Sequence, residues 1–132
     1  MLFLDSGYLI ALADASDQHH EAAQEHWAAL RPRPPLLTSS LVLVEVATFF
    51  NGRGFHAKAV EVVERLTASP RVTVVHLDRV LFEQAWGYFR SRPDKRYSLT
   101  DCLSFVLMAR EGIREALAFD AHFGQAGFIR LP

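Results

Sequence analysis

Short apolar runs alternate with helix-patterned stretches along the whole of this chain, and most of the runs end on a residue able to open a helix. Met1–Leu4 ends on Asp5 and reads as a buried strand. Leu36–Leu37 is a brief strand before Thr38, Ser39 and Ser40, and Val72–Leu77 is a β-branched strand before Asp78. Ala116–Phe119 is a strand ending on Asp120, and Phe128–Leu131 is the last. Helical spacing covers Tyr8–Ala13, then about Gln18–Leu30, with Asp17 as cap and Pro32, Pro34 and Pro35 as a stop. It returns over Leu41–Phe50, closed by Asn51-Gly52, over Phe55–Leu66, ended by Pro70, and over Arg79–Phe89, capped by Asp78. Ser98 opens a helix to about Arg110 with Gly112 just beyond, and one further turn falls near His122. Strands and helices in this alternation specify an α/β fold with a parallel sheet covered on both faces.

The length of 132 residues leaves room for one compact domain, expected over residues 1–132. Half of the residues are hydrophobic, which suits a packed core and excludes a disordered tail. A single cysteine, Cys102, cannot form an internal disulfide or a multi-cysteine metal cluster, which fits a reducing, cytoplasmic setting. The opening run lacks a positively charged start and is interrupted by Asp5, so it does not read as a secretory leader. No apolar run approaches the roughly 18 residues of a membrane span, so no membrane partner is expected. With 14 Lys+Arg against 15 Asp+Glu, bulk charge cannot drive binding to nucleic acid, and any such contact must be local.

Four acids sit where this pattern does not call for a surface charge. Asp5 ends the first strand, Glu45 interrupts the apolar stretch Leu41–Ala47, Asp101 lies in the first turn of the helix opened by Ser98, and Asp120 ends the fourth strand. In an open parallel sheet, ligands collect outside the carboxyl ends of the strands, and helix N-termini point there too. Asp5 and Asp120 belong to that edge, Asp101 faces it, and Glu45 reaches it if its helix crosses over. Two carboxylates about 4 Å apart repel by roughly 4 kcal/mol at an effective dielectric near 20. A cluster of four therefore needs protonation or a cation. Oxygen ligands without a Cys or His partner suit a hard ion, Mg²⁺ or Mn²⁺. Such a site keeps bound water and supports in-line displacement at a phosphodiester. Each acid also has a plainer reading. Asp5, Asp101 and Asp120 are all in capping positions, and Glu45 could pair with a buried Arg.

Leu4-Asp5-Ser6-Gly7-Tyr8-Leu9-Ile10 resembles the first motif of the PIN-domain ribonucleases, and Ser39-Ser40-Leu41-Val42-Leu43-Val44-Glu45 resembles the second. Tyr97-Ser98-Leu99-Thr100-Asp101-Cys102 and Ala118-Phe119-Asp120-Ala121-His122-Phe123 resemble the third and fourth. The likeness covers essentially the whole chain and is greatest to the VapC-type toxins of toxin–antitoxin pairs. It implies a three-layer α/β/α fold with a short, mainly parallel central sheet. It also implies a Mg²⁺- or Mn²⁺-dependent endoribonuclease, usually a homodimer, inhibited by a small antitoxin protein. Carried over by position, Asp5, Asp101 and Asp120 are metal ligands, and Glu45 completes the acidic site directly or through water. Ser6 and Thr100 orient the carboxylates or water. Many relatives place Thr or Ser two residues before the fourth acid, where this chain has Ala118, so one supporting hydroxyl is missing.

Other features carry less. His19, His20 and His26 lie on a surface helix, no two of them at the i, i+4 spacing of a metal pair, and read as solvated. Cys102 reads as a buried packing residue, and Trp27 and Trp86 as core or dimer face. Arg90, Arg92, Lys95 and Arg96 form the densest basic run, just before the third acid, and suit either solvent or RNA phosphates. A non-catalytic RNA-binding scaffold is the main competing function. An aspartyl-phosphate enzyme fits poorly, because Gly7 stands where such a phosphatase has a second Asp. A signalling receiver needs a late Lys, and the last one here is Lys95. Setting the four acids aside leaves 14 basic against 11 acidic residues, so a body of +3 surrounds a pocket of −4.

Overall fold

The computed structural model describes residues 1–132. In chain order it has β1 (Leu2–Leu4), α1 (Ser6–Ala13), α2 (His20–Ala29), β2 (Leu36–Ser39), α3 (Ser40–Gly52) and α4 (His56–Ala68). There follow β3 (Val72–Val75), α5 (Arg79–Arg90), α6 (Leu99–Glu111), β4 (Glu115–Leu117), α7 (His122–Gln125) and β5 (Ile129–Leu131). The strands form one sheet of order β3-β2-β1-β4-β5, and every pairing is parallel. Right-handed crossovers put α1–α4 on one face and α5–α7 on the other. The contacts agree: α1 packs on α2 and α3, α3 on α4, α5 on α6 and α6 on α7. The fold is the expected three-layer α/β/α sandwich.

Strand order decides where a ligand can sit. From β1 the chain moves outward to β2 and β3, then jumps back across β1 to β4. The β1/β4 pair is thus the switch point, where the loops above two neighbouring strands diverge and open a crevice. Leu4 pairs with Leu117 there, and the Asp5 amide continues the ladder by donating to the Leu117 carbonyl at 3.0 Å.

The core gathers Phe3, Leu4 and Tyr8 from β1–α1, Val42 and Val46 from α3, and Leu103, Phe105, Leu107 and Met108 from α6. α6 is buried along most of its length, from Thr100 to Phe105 and again at Leu107 and Met108. A helix so enclosed can present only its first turn to a site. No helix is long and apolar enough to cross a membrane.

Local expectations change at several points, among them β3, which ends at Val75 and not at Leu77. Asp17 does not cap α2: its Oδ1 accepts from the His19 amide at 2.8 Å, inside two successive turns, and α2 begins at His20 without a side-chain cap. Asn51-Gly52 does not close α3. The helix runs through Gly52 and stops at Gly54, whose φ of +80° lets the Phe55 amide reach the Phe50 carbonyl at 2.9 Å. β4 ends at Leu117, short of Phe119, as its partner β5 is only Ile129–Leu131. By contrast Asp78 accepts from the Leu81 amide at 2.8 Å, and Gly112, at φ +67°, closes α6 as expected.

Candidate metal centre

Asp5 leaves β1 at the switch point and becomes the N-cap of α1, its Oδ2 3.4 Å from the Gly7 amide. It is only 4% exposed. Burial, and then the neighbouring Asp101 and Glu45 carboxylates, push its carboxyl up to about 7, with the Ser6 and Gly7 amides acting against them. The charged form of Asp5 is thus disfavoured by its own surroundings.

Asp101 enters from α6. Ser98 Oγ accepts from the Asp101 amide at 3.0 Å and Asp101 Oδ2 accepts from the Ser98 amide at 3.1 Å, a complete capping box. The same Oδ2 lies 2.9 Å from His122 Nδ1. Asp120, in the loop after β4, accepts from the His122 amide at 2.8 Å and sits 3.2 Å from His122 Nδ1. Donor atoms of Asp101, Asp120 and His122 all lie within 4.8 Å of one another. Glu45 arrives from α3, half-buried, and its Oε1 accepts the Ser6 hydroxyl at 2.7 Å. No Lys or Arg forms an ion pair with any of the four acids.

The site differs from the sequence expectation in several respects. Glu45 has no Arg partner; the Ser6 hydroxyl takes that place. An oxygen-only donor set gives way to one that includes His122. The spacing Asp120-Ala121-His122 carried that signal, since a carboxylate accepting the amide two residues on forms a tight turn that brings both side chains to one side. Thr100 is buried beside Asp101, and its carbonyl takes the Ser104 hydroxyl at 2.9 Å.

Residues outside the acids also move from their expected roles. His19, His20 and His26 are not simply solvated. His20 Nδ1 lies 2.7 Å from the Ala11 carbonyl, His26 Nδ1 lies 2.7 Å from Tyr8 Oη, and the His19 ring stacks on Phe119 at 4.4 Å. Each contact is tertiary and invisible in a helical spacing. In the basic run, Arg90, Lys95 and Arg96 are exposed, while Arg92 lies over the Tyr88 ring at 3.4 Å. Cys102 is buried, and burial and then Asp101 push its thiol up to about 11, so it packs rather than reacts. Trp27 packs against the core beneath Arg33, whereas Trp86 is exposed on α5.

Hard carboxylate oxygens with one imidazole, and no competing basic side chain, fit a divalent cation such as Mg²⁺ or Mn²⁺. The fit rests on donor chemistry and on the uncompensated charge around Asp5. Held at a switch point, such a group would attract an anionic phosphodiester toward the crevice.

Comparison with known proteins bears on this geometry. The PIN domain family model matches residues 2–129. The 23S rRNA-specific endonuclease VapC20 of Mycobacterium tuberculosis is 37% identical over 132 residues, covering 99% of this chain and 98% of that protein. The crystal structure of Mycobacterium tuberculosis VapC20, described as a sarcin–ricin loop cleaving toxin, superposes with a TM-score of 0.89 at 36% identity, covering 98% of this chain and 97% of the other. The structure of FitAcB from Neisseria gonorrhoeae superposes with a TM-score of 0.64 over 100% of this chain and 97% of the other. At 15% identity it shares the fold alone.

Proposed function

Because this chain belongs to the PIN-domain family, we propose that it is a divalent-cation-dependent endoribonuclease, the toxin of a toxin–antitoxin pair, whose target is a structured loop of ribosomal RNA. The observation that carries the reading is the close group of Asp101, Asp120 and His122 donor atoms, with the buried Asp5 carboxyl at the end of β1, raised by burial and then by Asp101 and Glu45. The extended likeness to a ribosomal RNA endonuclease supports the substrate class.

In this reading Asp101, Asp120 and Asp5 would hold Mg²⁺, or Mn²⁺ in its place, with the His122 imidazole as a further donor. The ion, when bound, supplies Lewis acidity at a phosphoryl oxygen and lowers the pKa of a water. Asp5, its carboxyl pushed up to about 7 by burial and by Asp101, would hold the cation as a carboxylate, so binding would be coupled to proton release. Glu45, oriented by the Ser6 hydroxyl, accepts a proton from the attacking water. Thr100, buried one residue before Asp101, would help orient that carboxylate or a water. Arg90, Lys95 and Arg96 contact RNA phosphates flanking the cut, and their exposure supports this role.

A small antitoxin protein and a second copy of this chain complete the assembly. The exposed aromatic row Phe82, Trp86 and Phe89 on α5 supports a homodimer face. A cytoplasmic setting follows from the RNA substrate. The test is incubation of the purified protein with intact ribosomes in Mg²⁺, in Mn²⁺ and in excess chelator. Discrete cuts in ribosomal RNA, abolished by chelator and by Asp5→Asn, are expected. Intact RNA under every condition would overturn the assignment.

A further inference from the structure

Three rings stand nearly parallel, two of them on residues close in sequence to Asp5 and Asp120. Tyr8 is fully buried, with its hydroxyl 2.7 Å from His26 Nδ1. Its ring lies 5.7 Å from that of Phe119 at an interplanar angle of 13°, and Phe119 in turn lies 4.4 Å from His19 at 2°. The ladder therefore begins in the core and climbs to a partly exposed imidazole. Its members also fix its position. Tyr8 is in the first turn after Asp5, and Phe119 directly precedes Asp120. Arg130 holds the loop by donating to the Phe119 carbonyl at 2.9 Å.

The His19 backbone opens α2, its amide donating to Asp17 Oδ1 and its carbonyl accepting from the Ala23 amide, while its side chain makes no hydrogen bond. The neighbouring His20 side chain ties the start of α2 to the Ala11 carbonyl. The His19 ring nitrogens have no protein partner, and neither is sealed from solvent. One face of the ring is seated on Phe119, and the residue is partly exposed. Proteins that recognise RNA loops seat unpaired bases on such planes and read their edges by hydrogen bonds.

We propose that the face of His19 turned away from Phe119, at the end of the Tyr8–Phe119–His19 ladder, is a nucleobase shelf that stacks one unpaired base next to the scissile phosphate. The inference rests on the endoribonuclease reading and adds to it a substrate-positioning residue. The seated base fixes the register of the RNA strand over the acids, so the shelf selects which bond is cut.

The experiment measures kcat/KM on an RNA hairpin that the protein cleaves, and on the same hairpin carrying a single abasic nucleotide at each position flanking the cut. It uses the unaltered protein, His19→Ala, His19→Leu and His19→Tyr. At one position the abasic RNA is expected to lower the unaltered protein about tenfold and to leave His19→Ala unchanged. His19→Ala and His19→Leu lose about tenfold on the intact hairpin, and His19→Tyr stays within about threefold because it restores a plane. Thermal melting of each variant separates a loss of fold from a loss of stacking, and Leu keeps the volume without the plane. Equal activity of His19→Leu and the unaltered protein would overturn the shelf. So would losses that simply multiply with the abasic loss at every position. No cleavage by the unaltered protein would instead remove the nuclease reading, and the shelf with it.

Discussion

The β1–α1 and β3–α5 junctions are built from the same parts. Each ends a parallel strand at the carboxyl edge, and each uses an aspartate to cap the helix that follows. Asp78 is exposed and accepts from the Leu81 amide at 2.8 Å, a short bond in good solvent. Asp5 is 4% exposed, sits 3.4 Å from the Gly7 amide, and is pushed up to about 7 by burial and by Asp101 and Glu45. Capping explains the first aspartate completely. It cannot explain the second, where a serine would cap as well without the electrostatic cost. The difference is what the proposed cation site requires of Asp5.

That contrast can be broken most sharply by Asp5→Asn. Cleavage should fall by more than about a hundredfold while the fold persists, because the change removes repulsion and not packing. Asp78→Ala should leave cleavage within about twofold. If the two variants lose activity equally, the contrast between the junctions is false.

The second effect is on stability against pH, with divalent ions chelated away. The folded protein holds the Asp5 proton up to about 7, whereas the unfolded chain releases it near 3.8. Stability from this group is therefore full below about pH 4 and is lost as pH rises through about 7, a loss on the order of 4 kcal/mol. Denaturant melts at pH 4.5 and 7.5 should show that fall in the unaltered protein and a smaller one in Asp5→Asn. The same fall in both would assign it to other groups.

Smaller effects follow. Ser6→Ala frees Glu45 Oε1 from its 2.7 Å donor and should lower kcat roughly tenfold, read by single-turnover cleavage. Asp78→Ala should cost about 1 kcal/mol of unfolding free energy, the ordinary worth of a cap. Gly7→Ala is the gentlest probe. A Cβ there meets Asp5 Oδ2 at 3.6 Å, an ordinary contact, so a gain of about 0.5 kcal/mol from helix propensity is expected in a urea melt.

Much of this fold is local and could be read from residues. The Ser98–Asp101 capping box, Gly112 and Asp78 act within a few residues of themselves, and each stands where its chemistry implied. The four acids were visible because each broke a pattern. What escaped was tertiary. His122 joins the donors only through the turn made by Asp120, and His19 finds Phe119 across the gap between α2 and the loop after β4. Asn51-Gly52 looked like a helix stop, yet the α3 ladder runs two residues further because Gly54 offers the left-handed backbone that the closing bond to Phe50 needs. Asp17 could cap in isolation, but the turns between α1 and α2 claim its carboxylate first. Spacing along one element cannot reveal contacts between two.

The central claim is that the acids at the switch point are held together by a divalent cation. Thermal melting titrated with Mn²⁺ at pH 7.5, for the unaltered protein and for Asp5→Asn, tests it directly. A saturating rise in Tm for the unaltered protein, largely absent in the variant, is the predicted result. No rise in the unaltered protein, or the same rise in both, would contradict the account.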